Sequence, residues 1–336
     1  MKVFITGSTG FVGSHVVAAA LGAGHDVVAL VRPASSDPFP TLSSHPRLTL
    51  HRGDLRDPRT IAGAFDGVDV VVHLAAAKAG DFATQFAGTV IATENLIDEL
   101  ARSRVRRLVA ISTFSVYDFS AIEAGSLIDE TSPIDGSPTD RDEYAQTKLI
   151  QERLYREEMA HREVVILRPG MIYGRDNLWH PLLGSELGPV FLRIGSRATM
   201  PMTYVENTAA AIVAAIDADG VGGETINIVD DDLPTQKDYA RDVEAYVTPP
   251  SSVPVPWPVM SGIAHLLDRM NRSMLGGRAK FPGVLVPAKL DGRFKPFRYS
   301  NAKAKRLLAW TPTISQHDAF VRSLRDDVLT EVAGRT

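Results

Sequence analysis

Short apolar strands alternate with helical stretches through the first half of the 336-residue chain. The strands are continuous runs rich in Val and Ile, without the in–out alternation of a half-exposed strand, so both of their faces should be buried. Buried strands that alternate with helices are typical of a parallel sheet covered by helices on both sides. We therefore predict an α/β fold with a doubly wound parallel sheet, with strands at 3–5, 27–31, 48–51, 69–73, 107–112 and 164–167 and helices at 11–21, 84–103 and 142–161.

The second half of the chain is less regular, and clusters of Pro and Gly interrupt it. We expect a helix at 203–218 and a strand at 224–229 to return to the main sheet. The sequence thus predicts a main domain of residues 1–170 and about 203–230, a smaller, discontinuous C-terminal substrate domain of about 171–202 and 231–312, and a C-terminal helix or tail at 313–336.

Composition excludes several classes of function. The chain has no cysteine, which removes disulfides, thiolate catalysis and Cys-based metal sites, and its nine His show no metal-ligand spacing, so no metal is expected. A net charge of −4 gives no sign of a nucleic-acid groove or a polybasic membrane patch. No apolar run is long enough to span a bilayer, and an early glycine interrupts the first one. We expect a cytoplasmic protein without nucleic-acid or membrane partners.

Three glycines follow the first strand at the spacing Gly-x-x-Gly-x-x-Gly: Gly7, Gly10 and Gly13. The first permits a tight turn, the second lets the backbone approach a pyrophosphate, and the third allows the next helix to pack closely on the strand. The N-terminus of that helix offers free N–H groups and a partial positive charge. The turn therefore predicts a phosphate-binding site.

The segment from Thr6 to Gly13 resembles the opening motif of the extended short-chain dehydrogenase/reductase family, which includes NAD-dependent epimerases and dehydratases, 3β-hydroxysteroid dehydrogenases and dihydroflavonol reductases. A further match near the C-terminus ends in Trp310-Thr311-Pro312, so the resemblance covers almost the whole chain. It implies a Rossmann-type domain and a nicotinamide cofactor. The turn residues expected to contact the cofactor are Gly7, Ser8, Thr9, Gly10, Phe11 and Val12.

The end of the second strand indicates which nicotinamide is used. NAD enzymes usually place an acid there, whereas NADP enzymes place a cation for the 2′-phosphate. Arg32 occupies this position, and a guanidinium can bind a phosphate through two hydrogen bonds. We predict NADP(H) as the preferred cofactor, with NAD(H) possible; the alternative for Arg32 is an ordinary solvated surface charge.

The resemblance assigns further cofactor contacts to the ends of other strands. Asp54 would accept a hydrogen bond from the adenine amine, and Leu55 would form an apolar wall beside the adenine. Small residues after the fourth strand would let the cofactor lie against the backbone, and the turn after the sixth strand would lie beside the nicotinamide. The residues implied at these two places are Leu74, Ala75, Ala76, Pro169, Gly170 and Ile172.

Tyr144 and Lys148 stand four residues apart on a predicted helix and therefore share a face. An ammonium beside a phenol is expected to lower the pKa of the phenol, which would make Tyr144 a proton donor or acceptor for a carbonyl/alcohol pair. By resemblance, Thr113 after the fifth strand would hydrogen-bond the substrate oxygen, with Ser112 as the alternative. Thr113, Tyr144 and Lys148 are thus the expected catalytic residues, and Tyr144 and Lys148 would also contact the cofactor.

The chain departs from the family pattern at several positions, including two in the expected active site. Thr89 replaces an Asn that helps a proton relay, and Met171 stands where sugar-nucleotide epimerases carry an Asn. The side chains expected around the substrate make a largely apolar site: Lys78, Phe114, Ser115, Tyr117 and Met171.

Apolar residues recur at helical spacing between positions 259 and 274. Such a stripe is typical of a lid or core helix, and the alternative is an apolar wall for a hydrophobic substrate. Arg293 and Arg298 argue the other way, because they could hold a diphosphate.

Together these features favour an NADP(H)-dependent oxidoreductase that reduces a ketone or aldehyde, or oxidises an alcohol, on a hydrophobic small molecule, with Tyr144 as general acid/base. The alternative is an NAD-dependent sugar-nucleotide epimerase or dehydratase. A redox sensor that binds NADP without turnover is a remote alternative, because the Tyr144–Lys148 pair is intact. Family members commonly pair two long helices in a four-helix bundle, so we expect a homodimer through 84–103 and 142–161.

Overall fold

The computed structural model describes residues 1–35, 39–42, 44–136, 141–175, 177–188, 190–244, 251–276 and 278–323. Its strands are β1 Lys2–Thr6, β2 Asp26–Val31, β3 Leu48–Arg52, β4 Val70–His73, β5 Arg107–Ile111, β6 Leu127–Ile128, β7 Glu163–Pro169, β8 Met171–Tyr173, β9 Ser185–Leu187, β10 Val190–Ile194, β11 Met202–Tyr204, β12 Thr225–Ile228, β13 Ser252–Val255 and β14 Arg298–Tyr299. Its helices are α1 Phe11–Gly22, α2 Phe82–Phe86, α3 Ala92–Ala101, α4 Glu143–Glu158, α5 Val205–Asp217, α6 Gln236–Glu244, α7 Trp257–Leu275, α8 Pro287–Phe294, α9 Ala302–Leu308 and α10 Gln316–Ser323.

A seven-stranded parallel sheet forms the centre, in the order β3-β2-β1-β4-β5-β7-β12. Alternate residues of β1 point to its two faces: Val3 and Ile5 pack with α1 and α5, whereas Phe4 packs toward α3 and α4. All three side chains are fully buried, as the continuous apolar strands predicted. The prediction of a doubly wound α/β fold is confirmed.

The predicted helix at 84–103 is divided in the structure. A π-helical turn, Ala87–Ile91, separates α2 from α3. Two hydroxyls stabilise this turn: that of Thr89 accepts from the Ala77 N–H (3.0 Å), and that of Thr93 donates to the Thr89 carbonyl (2.6 Å). Side chains that bond nearby backbone groups compete with regular helical bonds, which accounts for the interruption.

The smaller part of the molecule is built from separate segments of the chain. β9, β10 and β13 form a three-stranded sheet. Ile194 at the end of β10 packs with Met260 and Ala264 of α7 and with Leu290 and Phe294 of α8. This second hydrophobic core carries one wall of the cavity described below.

The sequence placed residues 231–312 in the smaller domain, but the end of this segment packs on the main sheet. Ala304, Leu308 and Trp310 belong to the core of the main sheet, and the Trp310 indole N–H donates to the Asn207 carbonyl (3.1 Å). α9 therefore extends the main domain. Of the predicted C-terminal helix or tail, α10 is described, and residues 324–336 lie outside the described part.

Candidate functional site

The glycine turn between β1 and α1 has the geometry that its spacing predicted. Gly7 has a φ of 63°, in the left-handed region that favours glycine. A Cβ on Gly13 would lie 2.0 Å from the Gly7 carbonyl oxygen, so only glycine fits. Gly10 caps α1 without a side-chain acceptor, and no acid lies in the first turn of the helix. The free N–H groups and the close backbone approach suit a pyrophosphate.

The side chains of the other turn residues are either buried in the fold, exposed to solvent or directed toward the cavity. The Ser8 hydroxyl donates to the Leu30 carbonyl (2.6 Å) and is fully buried, so this side chain holds the turn against β2. Thr9 is exposed, and Val12 lines the cavity. Phe11 packs against Gly174, where a Cβ would approach its ring to 3.0 Å.

Cations surround the end of β2. Arg32 is exposed there and helps to keep the pKa of Asp54 low, although the main cause is the hydrogen bond of Asp54 with Arg56 (2.6 Å). Arg52, which sequence reasoning missed, donates to the carbonyls of Pro33 (3.3 Å) and Ser35 (2.8 Å). Arg52 therefore fixes the loop that carries Arg32, a role visible only once β3 is paired with β2.

The two predicted adenine contacts differ in accessibility. The Asp54 carboxylate is already engaged by Arg56 in a two-point ion pair. Leu55 is 5% exposed and packs with Ile61 and Phe65 beneath the surface. In the structure Leu55 thus serves mainly as a core residue, and only a small part of it remains for an adenine.

A cavity of about 600 Å³ opens between the main sheet and the smaller part of the molecule. Its lining includes most of the residues predicted beside the nicotinamide and the substrate: Val12, Leu74, Ala76, Lys78, Thr113, Phe114, Ser115, Tyr144, Lys148, Pro169, Gly170, Met171 and Ile172. Ala75 lies just behind the turn, because a Cβ on Gly7 would be 2.9 Å from its nitrogen. The structure therefore gathers the cofactor side and the catalytic side of the prediction around one space, at the carboxyl ends of the strands.

Three of these side chains form the chemical centre. Thr113 lies close enough to Tyr144 to lower the pKa of its phenol, and the Thr113 hydroxyl accepts from the Ser115 N–H (3.2 Å). Lys148, one helical turn beyond Tyr144, donates to the Ile111 carbonyl (2.6 Å) and to the Gln151 side chain. Thr113, Tyr144 and Lys148 thus line the same cavity, with the Lys148 ammonium bound to the Ile111 carbonyl and the Gln151 side chain.

The expected lowering of the Tyr144 pKa by Lys148 is wrong for this structure. Burial is the largest influence and raises the pKa of Tyr144 to about 12, while the hydrogen bond with Thr113 lowers it by less. Burial likewise lowers the pKa of Lys148 to about 7, against the opposing effect of Glu152. At neutral pH the phenol therefore keeps its proton, and Lys148 is poised to lose one.

Ser112, the alternative to Thr113, is occupied elsewhere. Its hydroxyl donates to the Glu152 carboxylate (2.5 Å), which also accepts from the Arg168 guanidinium (2.5 and 3.1 Å). All three side chains are almost completely buried, and Ser112 is thus held by the structural ion pair of Glu152 with Arg168. Thr113 is therefore the better placed hydroxyl.

A series of buried polar side chains, which the sequence did not indicate, extends from Lys148 through Gln151, Thr93 and His73 to Thr6. The Gln151 amide donates to the Thr93 hydroxyl (2.8 Å), which lies 2.9 Å from His73 Nε2, and His73 Nδ1 is 2.7 Å from the Thr6 hydroxyl. Burial lowers the pKa of His73 to about 3, so the imidazole is neutral. Only the spacing of Gln151 from Lys148 on one helix could have indicated this contact.

The prediction that Tyr117 contacts the substrate requires correction. Tyr117 is completely buried and does not line the cavity. Its hydroxyl donates to Asn227 Oδ1 (2.8 Å), and the Arg168 guanidinium lies 4.8 Å from its ring centre. The family motif located the residue correctly in the chain but did not show which way its side chain points.

The remaining walls combine Phe114, Lys78 and Arg293, which the sequence indicated, with residues that it did not. Two aromatic pairs line the cavity, Phe114 with Tyr299 (ring centres 5.8 Å apart) and Phe119 with Phe297 (5.4 Å). Cationic side chains line other parts of it, namely Lys78, Lys289 and Arg293. Desolvation lowers the pKa of Lys78. The stripe on α7 does not form a wall, because its residues face solvent.

The part of the chain that the structure describes contains no group of His, Asp or Glu side chains that could hold a metal ion. Nor does it contain a helix with the length and apolarity needed to cross a membrane.

Comparison with known proteins gives consistent results. The model of the NAD dependent epimerase/dehydratase family matches residues 3–229. The 3 beta-hydroxysteroid dehydrogenase/Delta 5-->4-isomerase of Mycobacterium tuberculosis is 30% identical, over 96% of this chain and 89% of that protein. Sterol demethylase protein B of Methylococcus capsulatus is 28% identical, over 93% of this chain and 94% of that protein.

Among solved structures, UDP-glucuronic acid 4-epimerase from Bacillus cereus, in complex with NAD, superimposes with a TM-score of 0.69 at 23% identity, over 99% of this chain and all of that one. This likeness concerns the fold. The family match, the Tyr144–Lys148 pair and the glycine turn agree with one another, and the chain belongs to the NAD dependent epimerase/dehydratase family, an extended short-chain dehydrogenase/reductase group of NAD(P)-dependent oxidoreductases and epimerases.

Proposed function

We propose that the protein is an NADP(H)-dependent oxidoreductase that reduces a ketone or aldehyde on a hydrophobic small molecule, or oxidises the corresponding alcohol. The observation that carries this proposal is the position of Thr113 and Tyr144 at the floor of a cavity walled by two aromatic pairs. A substrate carbonyl would reach the two hydroxyls while its apolar body contacts the rings.

The residues at the floor have distinct tasks in this proposal. Tyr144 holds a proton at neutral pH and donates it to the carbonyl oxygen during reduction, or accepts it during oxidation. Thr113 orients that oxygen through a hydrogen bond, and Lys148, whose pKa burial lowers to about 7, can exchange a proton within the same cavity. The nicotinamide, when bound, supplies or accepts the hydride.

The preference for NADP(H) rests on the cations at the end of β2. Arg32 is exposed and lies near Asp54, so it is available to a 2′-phosphate, and Arg52 fixes the backbone beside it. No acid stands at the end of the strand to bind a ribose hydroxyl. NAD(H) remains the second cofactor that this turn could hold.

Relatives with hydrophobic substrates support the substrate class. One is the 3 beta-hydroxysteroid dehydrogenase/Delta 5-->4-isomerase, and another is a 2-alkyl-3-oxoalkanoate reductase of Stenotrophomonas maltophilia that is 31% identical over 65% of this chain. A sugar-nucleotide epimerase is the second candidate, favoured by Lys289 and Arg293 on the cavity wall, which could bind a diphosphate. Met171 and the aromatic pairs favour the first.

Fluorescence titration with NADPH and NADH tests the cofactor. We expect NADPH to bind at least about tenfold more tightly, and Arg32→Ala to remove that preference. Arg59→Ala is the matched control, because Arg59 is an exposed arginine nearby that pairs with Asp57. Equal binding of NADH, or purification with NAD already bound, would favour the epimerase.

Steady-state reduction of a panel of oxosteroids and long-chain ketones tests the reaction. Tyr144→Phe should lower kcat about 10²–10⁴-fold while NADPH still binds, because the phenol transfers the proton. Turnover of UDP-sugars without turnover of any ketone would refute the proposed substrate class.

A further inference from the structure

The outward face of α7 is an apolar stripe without a cover. Val259, Ile263, Leu266, Met270 and Met274 are 53%, 44%, 60%, 45% and 73% exposed, and their spacing of three or four residues places them along one side of the helix. Exposed large apolar residues occur singly on most proteins, but a contiguous row of this length marks an interaction surface. We call these five residues the α7 stripe.

The opposite face of the same helix reaches the cavity. Met260 and Ala264 are buried against Ile194 and Phe294, and both of these partners line the cavity. α7 thus separates the α7 stripe from the cavity by one layer of side chains. Whatever covers the stripe lies directly outside the candidate site.

Charge identifies the kind of partner. Arg269 is exposed on the helix, and Arg278 and Lys280 are exposed just beyond its end; none of the three has an ion-pair partner among the described residues. The acid of this helix, Asp268, is paired with Arg272 (2.9 Å). The surroundings of the stripe are therefore cationic, although the chain as a whole carries a net charge of −4.

A second copy of the chain fits this surface poorly. Two-fold pairing centred on the stripe would bring the Arg269 side chains of both copies near each other, because Arg269 lies close to the middle of the stripe and an isologous interface matches a patch with itself. Like charges brought together in this way oppose association. An anionic partner with an apolar layer beneath its charge satisfies both features at once.

We propose that α7 docks on the surface of a bilayer that contains anionic phospholipids. The α7 stripe would lie at the boundary of the acyl chains, and Arg269, Arg278 and Lys280 would contact the headgroups, as in an amphipathic helix that lies in the interface. Such a helix needs neither a membrane-spanning segment nor a polybasic run, and this proposal therefore departs from the expectation of no membrane partner, which rested on the absence of those two features. A hydrophobic substrate dissolved in the bilayer would then be close to the cavity. That consequence rests on the proposed function, whereas the docking of α7 does not.

Flotation of the full chain with phosphatidylcholine vesicles, with and without phosphatidylglycerol, tests the proposal. We expect binding to the anionic vesicles, and weak or no binding to phosphatidylcholine alone. The double variant Leu266→Glu/Met270→Glu should weaken binding at least about tenfold, because it places two charges in the apolar boundary. Arg269→Gln should weaken it about fivefold and reduce its dependence on salt.

Leu50→Glu is the matched control, because Leu50 is a 39% exposed leucine on an edge strand of the central sheet. It should leave flotation unchanged. Far-UV circular dichroism and a melting temperature for every variant show that the fold is intact, so this test does not depend on that of the proposed function. The proposal is overturned if the wild type does not bind anionic vesicles, if the double variant binds as well as the wild type, or if sedimentation without lipid shows an oligomer that the double variant dissociates.

Discussion

Lys148 should make the stability of the protein rise with pH between about 7 and 10.5. Its pKa is lowered to about 7 in the folded protein by burial, whereas an unfolded chain keeps the ordinary value near 10.5. Between these values the unfolded state binds more protons, so raising the pH favours the folded state, and the gain is complete above the unfolded pKa. From pH 7 to pH 9 this one group should increase the free energy of unfolding by about 2 kcal/mol.

Urea unfolding at pH 7 and pH 9 measures this gain as the difference between wild type and Lys148→Met. The methionine keeps the length of the side chain without the charge, so the variant should lack that part of the pH dependence. Lys237→Met, at an exposed lysine on α6, is the control and should follow the wild type. An equal rise with pH in wild type and Lys148→Met would show that Lys148 is fully protonated in the folded protein, and the argument from burial would fail.

Two other predictions concern single side chains. Glu152→Gln should destabilise the protein by about 3–5 kcal/mol in urea unfolding, because it leaves the buried Arg168 charge without its partner; exposed Glu157→Gln on the same helix should change little, and equal effects would contradict this reasoning. Ala309→Gly should stabilise by about 0.5–1 kcal/mol, because Ala309 has a left-handed φ of 49° that costs about 1–2 kcal/mol, partly offset by the freer unfolded glycine. Ala302→Gly, within α9, should destabilise instead, and a melting temperature that moves the same way in both variants would contradict the strain at Ala309.

The central sheet and the glycine turn could be predicted because local rules determine them. Continuous apolar runs require burial on both faces, and the three glycines have steric reasons that depend only on neighbouring backbone. Local rules did not predict the burial of Tyr117 or the exposure of the α7 stripe. Spacing shows which residues share a side of a strand or helix, but the neighbours on that side are set by tertiary packing, which buried Tyr117 and left the stripe exposed.

The pairing of Tyr144 with Lys148 shows the same limit in energetic terms. From sequence, the attraction between an ammonium and a phenolate is the visible effect, and it predicts an acidic phenol. In the folded chain both groups are removed from water, and burial is the largest influence on each of them, so the pKa of Tyr144 rises and the pKa of Lys148 falls. A neutral phenol is the form that gives a proton to a carbonyl, and a phenolate is the form that takes one up from an alcohol. Burial, which no spacing rule reveals, therefore sets the protonation state from which the proposed reaction begins at neutral pH.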